Sequence, residues 1–386
     1  MKDNFELIAK TFFGFEDILA NELKNLGAQN IRTGNRMVSF YGDKGFIYKA
    51  NLCLRTAVKI LKPIMKFNAS NHIELYDHVK GFDWRKIIGI DKTFSIESVV
   101  HGKFFNHSLF VSQKTKDAIV DRIREDTGSR PSVDLKYPDI KINIHIDNNK
   151  VTISMDSSGQ SLHHRGYRTS TNVAPINEVL AAGLLLHSEW NGQSDFLDPL
   201  CGSGTIVIEA AMIARNIPAN IYRKEFAFEK WNDWDESLFK VIEESLINKI
   251  KSIKIEIIGS DKSTSAVVKA KQNVINAKLN DYIKIKKDDF LYTKKEGDNE
   301  LFILTNPPYG HRLEGDINKF YSKIGDTLKN FYINTNFWII SSNFEAIKKI
   351  GLKASNKIRV INGKLDSRLL NYLIYGGSKK NKKIKG

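Results

Sequence analysis

The spacing of apolar residues changes character part-way along the chain. Phe5 to Ala9 reads as a short strand, and Ile18, Leu19, Leu23 and Leu26 then recur at helical spacing, with Gly27 standing where a helix would end. The pattern predicts a helix over Phe15 to Leu26, a strand over Arg36 to Phe40, and another helix over Gly45 to Ile60 before Pro63. Thr93 to Val99 alternates like a strand, and Ser112 to Asp126 places Ala118, Ile119 and Ile123 on one helix face. Ile140, Ile142, Ile144 and Ile146 alternate with Lys141, Asn143 and His145, and Asp147-Asn148-Asn149 turns that strand into Val151 to Met155. Short strands mixed with a few helices predict an α+β region up to about residue 155.

After the polar turn 156–160 the rhythm becomes strand, helix, strand. Helices are expected over 177–190, 204–215, 265–279 and 319–332. Strands are expected over 195–200, 254–260, 283–286, 301–305 and 336–341. Such alternation predicts an α/β domain built on a doubly wound parallel sheet.

Length and charge narrow the picture. At about 100 to 200 residues per domain, 386 residues predict two or three domains. The formal net charge of +15 suits a polyanionic partner such as nucleic acid, although solubility alone accounts for some surplus. Two cysteines are too few for a disulfide framework, so a reducing, cytoplasmic compartment is expected. The apolar run Val179 to Leu186 is far short of the roughly 20 residues of a membrane span, and no membrane association is expected. His101, His107, His163, His164 and His311 show no ligand spacing, so no metal is expected.

Three segments can carry chemistry. In Asp198-Pro199-Leu200-Cys201-Gly202-Ser203-Gly204-Thr205 an apolar strand meets a glycine turn and then a helix, where a nucleotide-like ligand can approach the backbone. No basic residue faces a phosphate there, and an acid closes the strand, which argues against a phosphate cradle. A tight strand-to-helix turn is the plain alternative. Asp261 follows the strand to Gly259 directly and can grip a ribose diol, or simply cap a helix in competition with Ser263. Asp288-Asp289 can accept from an adenine amine, or be a solvated turn.

The third segment is Leu301 to Thr305 followed by Asn306-Pro307-Pro308-Tyr309-Gly310. Two prolines fix the backbone and remove two donors, leaving Asn306 and the Pro307 carbonyl as acceptors with a ring at Tyr309 beside them. Acceptors next to a stacking surface suit a planar base with an amino group. A rigid loop ending a strand is the alternative. Cys201 reads as a small residue in the turn rather than a nucleophile.

The pairing of Asp-Pro-x-Cys-Gly-Ser-Gly-Thr with Asn-Pro-Pro-Tyr-Gly resembles class I S-adenosylmethionine-dependent methyltransferases of exocyclic amines. More narrowly, the chain is similar to the THUMP-containing guanine-N2 RNA methyltransferases that act on bacterial 23S ribosomal RNA. Further segments carry this likeness: Gly14-Phe15-Glu16 with Glu22-Leu23, Leu162 to Arg168 with Ala174-Pro175-Ile176, the insertion Phe226 to Leu238, and Asn362 to Asp366. Longer members carry a second methyltransferase domain, so only the guanine-N2 half is implied.

The resemblance implies a Rossmann-like methyltransferase domain over 191–378, preceded by a ferredoxin-like segment at 1–44, a THUMP domain at 45–158 and a linker with a helix at 159–190. A basic tail over 379–386 follows. It implies S-adenosylmethionine as cofactor, held by Asp198, Pro199, Cys201, Gly202, Ser203, Gly204, Thr205, Asp261, Asp289 and Asn306. It further implies that Asn306, Pro307, Pro308 and Tyr309 face the target guanine. RNA is the implied partner, as 23S ribosomal RNA or a large-subunit assembly intermediate. Arg165 and Arg168 are candidate contacts to cofactor or RNA and Lys379 and Lys380 to RNA, though arginines that cover an interdomain helix and a solvated tail fit as well. Two rival readings stay open: an adenine-N6 methyltransferase, since Asn-Pro-Pro-Tyr serves that amine too, and a non-catalytic RNA-binding assembly factor.

Overall fold

A computed structural model describes residues 4–169, 175–308 and 316–376. It forms two compact units that exchange segments: residues 1–11, 19–162 and 223–245 in the first, and 12–18, 163–222 and 246–386 in the second.

The first unit contains β1 (Phe5–Thr11), α1 (Glu16–Leu26), β2 (Gln29–Gly34), β3 (Met37–Gly42), α2 (Lys44–Cys53), β4 (Ala57–Asn68), α3 (His72–Lys80), β5 (Phe94–His101), α4 (Ser108–Thr127), β6 (Ile140–Asp147) and β7 (Lys150–Asp156). Its seven strands form one sheet in the order β2-β3-β1-β4-β7-β6-β5, antiparallel throughout except for the parallel pair β5 and β6. The isoleucines of β6 are all buried, as their alternation predicts.

The helix expected over 45–60 is cut short. Asp43 caps α2 by accepting from the Phe46 amide at 2.7 Å, and the helix stops at Leu54, whose backbone is extended. Glu22 then accepts from the amides of Arg55 and Thr56 at 2.8 and 3.0 Å, and the chain leaves as β4. Ala57, Ile60 and Leu61 mimic helical spacing because β4 is irregular: its pairing with β1 shifts at one end and its pairing with β7 shifts between Pro63 and Met65. That second irregularity lies beside Pro63, whose missing donor a regular ladder would have required. The insertion 226–238 belongs to this unit, with the Phe228 and Trp234 rings 4.7 and 5.1 Å from that of Tyr48.

The remaining elements are α5 (Glu178–His187), β8 (Asp195–Asp198), α6 (Thr205–Ala214), α7 (Glu236–Ile247), β9 (Ile257–Asp261), α8 (Thr264–Asn276), β10 (Ile283–Lys287), β11 (Leu301–Thr305), α9 (Ile317–Phe331), β12 (Thr335–Ser341), β13 (Asn356–Asn362) and β14 (Leu365–Ile374). All but most of α7 lie in the second unit. Its sheet runs β10-β9-β8-β11-β12-β14-β13. The first five strands are parallel, as expected, while β14 and β13 add an antiparallel edge that the apolar pattern does not reveal. Side chains of β11 alternate between two cores: Phe302 and Leu304 pack with α5 and α6, and Ile303 packs with α9. Helices therefore cover both faces, and each large apolar side chain so buried contributes about 1.5 to 3 kcal/mol.

Order reverses at the centre of this sheet. From β8 the chain proceeds outward through β9 to β10, then returns to β11 on the other side of β8 and continues to β12. A crevice outside the carboxyl ends of β8 and β11 is where such a sheet admits ligands.

Candidate functional site

Four parallel strands end side by side, and each delivers a polar residue from its carboxyl end. Across β10, β9, β8 and β11 these are Asp289, Asp261, Asp198 and Asn306. Asp261 closes β9 in register with Lys287 of β10, so Asp288 and Asp289 follow immediately beside it.

Asp198 is buried, and its Oδ1 accepts from the Thr305 hydroxyl at 2.8 Å and the Leu200 amide at 3.2 Å. The Thr305 bond ties the end of β8 to the end of β11 just before Asn306. Burial lifts the Asp198 carboxyl to about 7, and the Asp261 charge adds to the rise.

The turn after β8 is fixed by its own amides. Cys201 donates to the Ser260 carbonyl at 2.9 Å, Gly204 to the Cys201 carbonyl at 2.8 Å, and Gly202 to Asp261 Oδ2 at 3.0 Å. Gly202 and Gly204 take φ of 54° and 84°, a left-handed conformation that a side chain strains. Asp261 Oδ1 also accepts from the Ser263 amide at 2.9 Å, and Ser263 itself caps α8. Pro199, Cys201, Ser203 and Thr205 are buried in or beneath the turn. Burial pushes the Cys201 thiol well up, which keeps it protonated and unreactive.

Asp289 caps a short 3-10 turn by accepting from the Leu291 amide at 3.1 Å. Asn306 and Pro308 are half-buried and Pro307 is buried. Tyr309, Lys379 and Lys380 lie outside the described residues.

The two arginines offered as cofactor or RNA contacts both pair within the second unit. Arg165 is fully buried, within 3.4 Å of Glu209 and 3.2 Å of Asn220, and the Tyr167 hydroxyl donates to the same Glu209 at 3.1 Å. An enclosed guanidinium committed to a carboxylate of α6 is not an RNA-facing group. Arg168 Nη2 donates to the Ile176 carbonyl at 3.0 Å and to Thr205 Oγ1 at 2.6 Å, while its Nε lies 3.1 Å from Glu178. Burial lifts Glu178 to about 7, with the Arg168 charge opposing that rise.

Two contributors escape a reading of the sequence. Thr305, the last residue of β11, supplies the hydroxyl on Asp198. Asn273 of α8 is buried, donating to the Ser203 carbonyl at 3.0 Å and accepting from Thr169 at 3.3 Å. Its only signal is a polar residue in line with Ala266, Ala270 and Val274 on a buried helix face.

The arrangement fits a nucleoside bearing a charged amino-acid tail: a close-approach turn, acids that can accept from a ribose and an amine, and a buried carboxyl for a cationic group. Among the described residues no cluster of three or more His, Cys, Asp or Glu can hold a metal ion, and no helix is long and apolar enough to cross a membrane.

Comparison with known proteins matches residues 165–371 to the RMKL-like methyltransferase domain, 69–156 to the THUMP domain and 6–61 to the RlmL ferredoxin-like domain. A Synechocystis sp. protein provisionally named an RNA methyltransferase is 35% identical over 365 residues, covering 94% of this chain and 95% of that one. The ribosomal RNA large subunit methyltransferase K/L of Shewanella frigidimarina is 35% identical over 382 residues, which cover 97% of this chain and 53% of the relative. The chain thus spans about half the length of that K/L relative. Among solved structures, SMU.472, a provisionally assigned methyltransferase complexed with SAH, superimposes with a TM-score of 0.88 at 31% identity, covering 98% of this chain and all of that one.

Proposed function

The chain belongs to the RMKL-like family of S-adenosylmethionine-dependent RNA methyltransferases, and on that premise we propose that it methylates the exocyclic N2 amine of a guanine in structured RNA, with 23S ribosomal RNA as the favoured substrate. One observation carries the reading: acceptors stand at the ends of four adjacent parallel strands, with Asn306 and two prolines on the last. In this reading Asp289 holds the adenine, Asp261 the ribose, and Asp198 with the 201–205 turn the amino-acid end. The cofactor, when bound, supplies an electrophilic methyl group on a sulfonium.

What this chain does is orient and accept. The lone pair of a guanine amine is delocalised into the ring. Acceptance of its two hydrogens by Asn306 Oδ1 and the Pro307 carbonyl favours a pyramidal nitrogen as positive charge develops. An in-line displacement asks chiefly for alignment and near-attack distance, so no strong base is needed. Tyr309 is assigned to stack on the target base, which must leave its helix because pairing hides the amine in a groove.

Asn306→Ala separates this reading from its rivals. Cofactor affinity by calorimetry should stay within about threefold of wild type, while single-turnover methylation of 23S ribosomal RNA falls about a hundredfold, since the contact acts mainly in the transition state. A near wild-type rate would leave the 305–308 segment a merely structural loop. Label in N6-methyladenosine rather than N2-methylguanosine would favour the adenine rival. Cofactor binding with no transfer by the wild-type chain would favour the assembly factor.

A further inference from the structure

The turn after β8 faces a problem that its own amides do not solve. Three of them, from Cys201, Gly202 and Gly204, are committed to Ser260, Asp261 and Cys201. The acids beside the turn, Asp198 and Asp261, suit the cationic and hydroxyl groups of the cofactor and repel its α-carboxylate. The first turn of α6 holds no acid, and Gly204 offers no side-chain cap. That uncapped helix start favours an anion, and a side-chain cation beside it would add a full charge and directional donors.

Arg168 is bonded to the start of α6. Its Nη2 holds Thr205 Oγ1, the first residue of α6, and the Ile176 carbonyl. Glu178 in the first turn of α5 pairs with its charge, Nε to Oε1 3.1 Å, without a hydrogen bond at Nε. The two hydrogen bonds of Nη2 and the ion pair with Glu178 restrain the guanidinium, so less rotamer freedom remains to be lost on binding. Nη1 makes no hydrogen bond among the described residues, and the side chain keeps 13% of its exposure. Arg165, by contrast, is wholly enclosed.

We infer that Arg168 receives the α-carboxylate of S-adenosylmethionine through the free edge of its guanidinium, and that Thr205 and Glu178 position it for that contact. The inference rests on reading the 201–205 turn as the amino-acid end of the cofactor site. Arginine matches a carboxylate in plane and in donor spacing, and such charge-assisted pairs are about twice as strong as neutral ones. The consequence is selective: Arg168 discriminates ligands by their amino-acid tail and is indifferent to the adenosine.

Two ligands that share adenosine test this by calorimetry on the full chain: S-adenosylhomocysteine, which has the tail, and 5′-methylthioadenosine, which lacks it. Arg168→Met should weaken S-adenosylhomocysteine by about tenfold or more and leave methylthioadenosine within about twofold. Arg168→Lys, which keeps the charge without the planar fork, should show the same selectivity with a smaller loss, and it decides the matter if the Met variant does not fold. Equal weakening of both ligands would reduce Arg168 to a brace for α6, and unchanged affinity for both would remove it from the site. Asp261→Ala serves as the separate control. Both ligands should weaken, and wild-type affinity for both would overturn the assignment of the strand ends themselves, whatever Arg168 does.

Discussion

Asp198 is a carboxyl whose pKa folding raises. Burial sets its pKa at about 7, against roughly 3.9 for a free aspartate. Between those values the folded chain retains a proton that the unfolded chain has released. This group therefore makes the ligand-free protein less stable as pH rises from about 4 to about 7, and it adds no slope above that. In Asp198→Asn the slope vanishes. Thermal melting at pH 5 and pH 8 should show a drop smaller by a few degrees than in wild type, and equal drops would place Asp198 in a solvated setting. Sequence reading singles out Asp198, Asp261 and Asn306, and places them at strand ends, because each ends or follows an apolar run beside glycine or proline punctuation. It leaves Arg165 open between a ligand contact and a cover for a helix, because arginine is seldom buried and its partner Glu209 lies 44 positions away. Thr305 stays hidden for a different reason. A β-branched residue ending a strand looks like any other, and only its neighbour across β8 gives it a role.

Among the elements, α5 shows how a short motif acts at a distance. The helix is apolar nearly all round, and Asn177 caps it by accepting from the Val179 and Leu180 amides. Phe15, from Gly14-Phe15-Glu16, is buried against it, and His187 Nε2 lies 3.0 Å from the Gly14 carbonyl. A Cβ on Gly183 would come within 2.1 Å of the Phe15 ring. Gly183→Ala gains up to about 1 kcal/mol in helix propensity, yet that overlap forces the ring or the helix to move. The clash should win, with a net loss of about 1 to 3 kcal/mol in denaturant unfolding, partly recovered by adding Phe15→Leu. A Gly183→Ala protein as stable as wild type would show that the ring relocates freely. At this scale the periodic helices and parallel strands were legible, and β4 was not: the shift in its pairing with β1 beside Ala57 gives a strand the spacing of a helix. Nor was the edge hairpin β13 to β14 evident, because its strands are paired with each other and with β12 rather than signalled by their own alternation.

For the whole molecule, chain order and spatial grouping differ. Phe15 belongs to the second unit although it precedes nearly all of the first, and residues 223–245 join the first unit from within the second. Periodicity reports local geometry, so the alternation of strands and helices gave the parallel sheet without showing this exchange. The switch between β8 and β11 was implicit in the same alternation, and it gives Asp198 and Asn306 a common place at adjacent strand ends. A +15 chain with THUMP and ferredoxin-like matches ahead of that sheet supports RNA as the substrate. The central claim is transfer of a methyl group to a guanine N2. Its most direct test is nucleoside mass spectrometry of 23S ribosomal RNA from cells lacking this chain, from cells with it restored, and from cells carrying Asn306→Ala. The account predicts one N2-methylguanosine lost in the deletion, restored by the wild-type chain and not by the variant. An unchanged N2-methylguanosine content across all three would contradict it.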